Sequence, residues 1–220
     1  MKIDIKKEIP LIGIVLLPFL YLAYIWQDLP NKVPVHWNIK GEIDRYGDKS
    51  ELLLIPFLLP LLIYIIFLIV PFIDPKKNIE KMGKKYGTIK FLLTLFMSVL
   101  ATYILYSAKT ASISSPNGII LLLGILFIIL GNFFKTMKPN YFIGIRTPWT
   151  LENEDIWKNT HLLAGKLWFI GGILIVSASL LLTEELNTYF FISTTILICL
   201  IPILSSYIQY QKIEKDNSAK

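Results

Sequence analysis

Two histidines and one arginine are the residues of this 220-residue chain whose type and surroundings could support binding chemistry. His36 is followed by Trp37 and lies shortly before Asp44, whereas His161 follows several acidic residues. An imidazole titrates near about pH 6.5, so either histidine could sense pH or join carboxylates in binding a metal ion. One histidine with carboxylates is a weak set of ligands, because tight sites combine several imidazole or thiolate groups. The sequence therefore predicts no bound metal and no cofactor.

Arg146 lies between Gly144 and Pro148 in a stretch rich in aromatic residues. The planar guanidinium can bind a carboxylate, a phosphate or a row of carbonyl groups. It can equally hold its own loop in shape through Glu152 or Glu154. Both interpretations stay open at the level of sequence.

The sequence contains no arrangement typical of a catalytic centre. A Ser/His/Asp order, a Cys/His pair and a glycine-rich phosphate loop are all missing from it. Cys199 is the only cysteine, so an intrachain disulfide is excluded. We expect a protein that is not an enzyme. An intramembrane enzyme ranks third among the function classes considered, and in it His36, Glu42 and Asp44 would surround an ion.

Long apolar runs must position these residues. Hydrophobic residues make up 54% of the chain and charged residues 17%, against about 25% charged in globular proteins. Runs of roughly 17 to 25 apolar residues cross the hydrocarbon core as helices, because only helices satisfy their own backbone polar groups. We predict an all-α polytopic membrane protein with six transmembrane helices. The apolar runs are Ile9–Trp26, Leu52–Ile73, Ile89–Ala108, Gly118–Phe134, Leu163–Leu182 and Thr188–Tyr207.

Polar and small residues within these runs constrain the function. No acidic or basic residue lies at the centre of a run, and Lys90, Lys109 and Lys166 lie near run ends, where they are predicted to extend to the membrane surface. Because ion-coupled transporters keep ionisable groups at membrane depth, this pattern leaves a passive transporter or channel for small solutes as the alternative function. Thr94, Ser98 and Thr102 form a polar stripe on the third run, which is predicted either to join helices through hydrogen bonds, as a polar glue, or to line a cavity. Five glycines within the runs are predicted to let helices pack closely: Gly13, Gly124, Gly131, Gly171 and Gly172.

Lysines and arginines gather in alternate connections, which predicts the orientation. They precede the first run, lie between the second and third, and follow the fourth and sixth. By the positive-inside rule both termini and residues 135–162 are cytoplasmic, and residues 27–51 are extracytoplasmic. Attraction to anionic membrane lipids explains the basic composition, so we expect no direct contact with nucleic acid.

The connections differ in their predicted order. Prolines and glycines in residues 27–51 predict a small extracytoplasmic cap between helices 1 and 2, with a hairpin strand at Val33–Asn38. The lysine-rich segment Asp74–Thr88 is predicted to be the most mobile part, and residues 212–220 a disordered tail. Residues 135–162 are predicted to be ordered and packed against the helices.

A helix is predicted to begin within that last connection. Thr147 or Thr150 can cap it, and Pro148 suits the first helical position. Farther along, Trp157 and Trp168 share a helix face with His161 and are predicted to anchor the helix at the membrane interface.

The two larger connections resemble parts of the SdpI family of bacterial membrane immunity proteins. With the helices beside them, the two blocks that carry the resemblance cover most of residues 15–190, and the outer block resembles the small DUF1648-like module that precedes the SdpI signature. The inner positions are Gly131, Asn132, Lys138, Pro139, Asn140, Tyr141, Gly144, Arg146, Thr147, Pro148, Trp149, Trp157, Thr160 and His161, and the outer ones are Pro30, Pro34, His36, Trp37, Gly41, Asp44 and Gly47.

The resemblance implies a function in the bacterial cytoplasmic membrane. Members protect a producer cell from a secreted, membrane-active toxin peptide, and the best-known member also transduces a signal by holding a transcriptional repressor at the membrane. It implies an N-terminal module of residues 1–75 and an SdpI-like module of residues 76–211. Candidate contacts for the toxin outside are His36, Trp37 and Asp44. Candidate residues of the cytoplasmic loop are Lys138, Asn140, Tyr141, Arg146, Pro148, Trp149, Trp157 and His161.

Overall fold

Long helices dominate the computed structural model, which describes residues 4–38, 40, 42–75, 77–110 and 116–218. Within these ranges six helices are long and apolar enough to cross a membrane, which confirms the predicted all-α polytopic fold. They are α1 (Ile5–Ile25), α2 (Lys49–Ile73), α4 (Lys84–Thr110), α5 (Pro116–Phe134), α7 (Glu154–Leu181) and α8 (Glu184–Ser218). Two short helices, α3 (Asn78–Lys81) and α6 (Pro148–Glu152), lie in the connections.

The long helices pack in two groups. One group contains α1, α2 and α4, and in the other α7 packs between α5 and α8. The backbones of α5 and α7 approach closely, since a Cβ on Gly131 would lie 2.9 Å from the Gly165 carbonyl oxygen and one on Gly172 only 2.7 Å from that of Gly124. This confirms the predicted packing role of these glycines of α5 and α7. Gly13 faces open space instead, so that part of the prediction is wrong.

Helix α2 changes its winding along its length. A turn of 3-10 helix, Lys49–Leu53, leads into the segment Leu54–Pro56, and a π-helical turn, Phe57–Leu61, precedes the regular helix Leu62–Ile73. Pro60 lies inside the π-helical turn, and proline cannot donate to the helical hydrogen-bond ladder.

A β-hairpin covers one end of the first helix group. Strands β1 (Lys32–Trp37) and β2 (Ile43–Asp48) pair antiparallel, which confirms the predicted hairpin. Val33 is fully buried among apolar residues at the ends of α1, α2 and α4, so β1 is the inner strand. Gly41, one of the positions that carry the resemblance, lies outside the described residues.

The segment Asp74–Thr88 differs from the mobile loop predicted for it. It contains α3 and the first turns of α4, and an Asp74 carboxylate oxygen accepts a hydrogen bond from the Ile79 N–H at 2.8 Å. Ile79, Met82 and Tyr86 are buried. These apolar side chains pack together onto the bundle, while the lysines between them are exposed.

The predicted disordered tail is wrong as far as Ser218, because α8 continues to that residue. Residues 219–220 lie outside the described ranges. Lysine, glutamate and glutamine are good helix formers, and the Tyr210 hydroxyl donates a hydrogen bond to Glu214 at 2.6 Å one turn later.

The prediction that Lys90 extends to the membrane surface is wrong. Its ammonium group lies 2.5 Å from a carboxylate oxygen of Glu8, and both side chains are buried. The other Glu8 oxygen accepts a hydrogen bond from the Tyr64 hydroxyl at 3.0 Å. Because α1 begins before the apolar run, Glu8 lies inside the helix and offers Lys90 a buried partner instead of hydration. Lys166 is exposed, and its extension to the membrane surface stays a prediction.

Candidate functional site

The candidate site is the signature loop, which we define as residues 138–147 between α5 and α6. It lies at the bundle end opposite the hairpin. The Asn78 side-chain amide, in the connection between α2 and α4, donates a hydrogen bond to the Pro139 carbonyl at 2.7 Å. At the hairpin end, Lys109 of α4 pairs with Asp28, just after α1, at 3.0 Å. The two connections singled out by sequence therefore occupy opposite ends.

Asn140 organises the start of the signature loop. Its side chain is 1% exposed, and its amide nitrogen donates to the carbonyls of Lys138 and Ile143 at 2.8 and 3.0 Å. Its side-chain oxygen accepts from the N–H groups of Phe142 and Ile143 at 2.9 and 2.7 Å. One buried amide thus satisfies four backbone groups that no helix or strand would satisfy.

His161 of α7 binds the middle of the loop. Its Nε2 accepts a hydrogen bond from the Ile145 N–H at 3.0 Å, and its Nδ1 lies 2.8 Å from the Trp157 carbonyl oxygen. A ring nitrogen that accepts from an N–H carries no proton, and one that faces a carbonyl must carry one. The network therefore assigns a neutral imidazole protonated at Nδ1, with both nitrogens occupied inside the protein.

Gly144 is required where the loop passes the imidazole. Its φ is +111°, a conformation that other residues rarely adopt. A Cβ added there would overlap Nε2 of His161 and lie 3.3 Å from the Trp157 ring. Both the backbone conformation and the space available exclude a side chain at this position.

Trp157 is a core residue, so its predicted role as an interfacial anchor is wrong, whereas Trp168 is half-buried and its anchor role stays a prediction. Trp157 is 1% exposed, donates from Nε1 to the Met137 carbonyl at 2.9 Å, and stacks on His161 with ring centroids 4.0 Å apart. Trp168 donates to the Ile198 carbonyl at 3.1 Å. Each indole N–H donates to a backbone carbonyl, and for Trp157 the physical reason for burial is that its helix face is turned toward the bundle.

Helix α6 closes the loop and begins as predicted. Thr147 caps it by accepting from the Thr150 N–H at 3.3 Å, and Pro148 occupies the first turn. The fully buried Thr150 hydroxyl accepts in return from the Thr147 N–H at 2.9 Å and lies 3.0 Å from the Ile145 carbonyl. This reciprocal cap fixes the chain direction after Ile145.

Trp149 ties α6 to the last helix. Its Nε1 donates to the Ser206 hydroxyl at 2.8 Å. Its ring packs against those of Tyr207 and Tyr210, with centroids 5.3 and 5.9 Å away. Sequence alone does not identify these partners on α8, because they are distant in the chain.

Arg146 lies on the exposed surface of the loop and donates a hydrogen bond to the Tyr141 carbonyl. The guanidinium therefore closes the loop through a carbonyl rather than through Glu152 or Glu154. Lys138, Tyr141 and Arg146 together form the exposed face of the loop, with Tyr141 41% exposed.

A cavity of about 340 Å³ lies beside the signature loop, with Trp157 and His161 in its wall. The cavity is not predictable from the sequence, because its charged groups come from different elements. Its basic lining residues are Lys135, Lys138 and Lys158, and its acidic ones are Glu154 and Asp155. Such mixed charge suits a polar peptide segment, with hydrogen bonds and ion pairs available to both signs.

At the hairpin, the outer candidate residues are also brought together. Nδ1 of His36 lies 2.6 Å from a carboxylate oxygen of Asp44, across the two strands, and both side chains are exposed. The indole nitrogen of Trp37 is buried and has no partner among the described residues. No group of three or more His, Cys, Asp or Glu side chains that could hold a metal ion occurs in the described ranges.

The polar stripe of α4 packs against neighbouring groups. The Ser98 hydroxyl donates to the Ile14 carbonyl of α1 at 2.6 Å, and the Thr102 hydroxyl donates to the Ser98 carbonyl at 2.9 Å. Thr94 is fully buried. Ser98 therefore joins α4 to α1, which favours the hydrogen-bonding interpretation for that residue, whereas the Thr102 bond stays within α4 and the buried Thr94 hydroxyl has no partner among the described residues.

Two models of known protein families match this chain, one around the signature loop and one around the hairpin. The model of the SdpI/YfhL protein family matches residues 136–206, which include the signature loop. A domain of unknown function, DUF1648, matches residues 13–59, which include the hairpin. Immunity protein SdpI of Bacillus subtilis (strain 168) is 30% identical over 208 residues, which cover 94% of this chain and 98% of that protein. No solved structure matches the chain.

Proposed function

This chain belongs to the SdpI/YfhL family, and from that premise we propose that it is a membrane immunity protein, acting without catalysis, that protects a bacterium from a secreted membrane-active peptide. The observation that carries the proposal is the similarity to an immunity protein along 94% of the chain, so that the hairpin and the signature loop have counterparts in one relative.

The hairpin is the proposed contact for the toxin. With the lysine-rich ends of the helices in the cytoplasm, the hairpin faces outside, from where a secreted peptide arrives. Its outer strand β2 exposes Asp44, Arg45 and Tyr46, and His36 faces Asp44 from β1. An edge strand can pair with an extended peptide through main-chain hydrogen bonds, while exposed side chains select the peptide.

The signature loop is the proposed contact for a cytoplasmic partner, a transcriptional repressor held at the membrane. Lys138, Tyr141 and Arg146 present an exposed surface on a rigid loop, and the cavity of mixed charge lies beside it. Toxin binding at the hairpin would have to change the signature loop through a shift of packed helices, because the two sites lie at opposite ends.

A measurement of membrane potential tests the immunity proposal. Sensitive bacteria that express the chain are exposed to a panel of secreted membrane-active peptides, including the toxin to which Immunity protein SdpI confers immunity. We expect the potential to persist with the chain and to collapse without it. Collapse in both cultures, with the protein present in the membrane, would contradict the proposal.

Photo-crosslinking tests the two contacts separately. A photoreactive amino acid at Tyr46 should capture toxin added from outside, and one at Tyr141 should capture only cytoplasmic proteins. Toxin captured at Tyr141, or at neither position, would contradict the assignment of the outer contact to the hairpin.

A passive channel for solutes is the second candidate, and the hydrogen bonds of Ser98 and Thr102 argue against it. Ser98 and Thr102 use their hydroxyls on backbone carbonyls of α1 and α4. Uptake of small solutes by vesicles containing the purified protein measures this alternative directly, and we expect no uptake above that of empty vesicles.

A further inference from the structure

A second and larger cavity, of about 770 Å³, lies in the first helix group, at the same end as the signature loop. It is formed by the start of α1, the end of α2 and the start of α4. Its volume falls within the roughly 300–1,000 Å³ of small-molecule sites. The apolar side chains of its wall are Leu11, Phe67, Leu68, Pro71, Phe72 and Phe91.

The wall continues onto the surface that faces lipid. Phe72 is 58% exposed and Phe91 38% exposed, and both belong to helices that are apolar enough to span a membrane. The cavity is therefore open beside the hydrocarbon region and is apolar on that side.

Charged side chains of both signs also line the cavity. They are the buried ion pair of Glu8 and Lys90 and the exposed Asp4, Lys7, Glu80 and Lys84. An ammonium group has three N–H donors, and Lys90 uses one of them on Glu8. Lys84 makes no ion pair within the described part of the chain, whereas Lys7 pairs with Asp4 at 3.1 Å.

The buried pair has little value for stability alone. Removing two charges from water costs about as much as their attraction returns, and replacement of such a pair by apolar residues is often neutral or stabilising. Buried charges in a membrane protein that do not stabilise it point to a ligand or a pathway. Here the pair lies in the wall of a cavity with donors still available.

We propose that this cavity binds an anionic phospholipid from the adjacent leaflet. The phosphate contacts the ammonium groups of Lys84 and Lys90, and one acyl chain lies along the wall that ends at Phe72 and Phe91. A lipid uses both halves of the cavity, whereas a soluble phosphate would leave the apolar half unfilled. Glu8 holds Lys90 in place and disfavours a second negative charge at the pair, so a phosphodiester fits better than a phosphomonoester.

Lipid retention by the purified full-length protein tests the proposal. The protein in detergent receives phosphatidylglycerol, phosphatidylcholine or inorganic phosphate, and bound molecules are counted by native mass spectrometry. We expect phosphatidylglycerol to be retained about tenfold more than phosphatidylcholine, because both carry the same phosphodiester but only choline brings a positive charge next to Lys84 and Lys90. Equal retention of both lipids would overturn the proposal, as would inorganic phosphate that displaces phosphatidylglycerol, because the ligand would then be a free anion.

Two variants and one control locate the site. Lys84→Ala and the double variant Glu8→Leu with Lys90→Met should each lose the preference for phosphatidylglycerol. Lys212→Ala, which removes an exposed lysine of α8 that does not line the cavity, should keep it. The double variant removes both charges together but leaves the buried Tyr64 hydroxyl without its acceptor, so its unfolding midpoint in lipid-free detergent is measured in parallel and should fall only slightly. If it fails to fold, Lys84→Ala alone decides: a preference that survives Lys84→Ala overturns the proposal.

Discussion

Gly144 lies directly against the imidazole of His161, so close that no larger residue fits without moving the ring. The contact matters because Nε2 of the same ring accepts the hydrogen bond of the Ile145 N–H, the next residue in the loop. The path of the signature loop and the orientation of the histidine are therefore set together.

Gly144→Ala is expected to destabilise the protein by about 2–4 kcal/mol, because strain at positive φ and overlap with the ring each cost roughly 1–3 kcal/mol. The unfolding midpoint of the purified protein measures this. Gly83→Ala is the matched control: Gly83 also has a positive φ, of +56°, but a Cβ there would meet nothing within 4 Å. Equal losses in the two variants would mean that contact with His161 contributes nothing.

Asn140→Asp and Asn140→Ala should both release the signature loop. The aspartate keeps the two acceptor contacts but cannot donate to the carbonyls of Lys138 and Ile143, and it buries a charge. Limited proteolysis in residues 138–147 should become faster in both variants. Asn159→Ala, which removes an exposed bond to Gln209, serves as control and should be cleaved at the rate of the unmodified protein.

Arg146→Ala is expected to reduce protection against the toxin while the protein still accumulates in the membrane at its normal level. The side chain closes the loop on the Tyr141 carbonyl and is exposed, so its loss changes the loop surface more than the core. Toxin survival and membrane abundance are measured together. Lys166→Ala removes an exposed charge of α7 and should leave survival unchanged. Full protection by Arg146→Ala would show that this part of the loop is dispensable.

The orientation in the membrane is predicted from the lysine distribution and can be measured by alkylation of single cysteines. In a Cys199→Ser background, Lys40→Cys should react with an impermeant reagent added outside, and Lys81→Cys only after the membrane is opened. Both positions are exposed in the structure. The reverse pattern would place the signature loop outside and exchange the proposed toxin and repressor faces.

Much of this architecture can be predicted from the sequence, because it depends on residues that are close together in the chain. Apolar runs determine helices because backbone polar groups must be satisfied within lipid. The hairpin and the cap at Thr147 follow from turn and capping residues close together in the chain.

Features that depend on contacts between residues distant in the chain could not be predicted from the sequence. Trp157 resembles an interfacial anchor until its Nε1 is seen to bind Met137, and Lys90 resembles a surface lysine until Glu8 of another helix is found beside it. The lysines of Asp74–Thr88 predict a mobile segment, although its apolar residues Ile79 and Tyr86 are buried in the structure. Such pairings depend on the packing of helices, which a single sequence does not specify.

Growth of a toxin-sensitive bacterium that expresses this chain tests the immunity function most directly. The measurement is the lowest concentration of the toxin that arrests growth, compared with cells that carry an empty vector and with cells that express Gly144→Ala, the abundance of each protein being determined in parallel. We expect that the chain raises this concentration at least several-fold and that Gly144→Ala raises it less per molecule in the membrane. An unchanged arresting concentration, with the protein correctly inserted and every peptide of the panel tested, would contradict it.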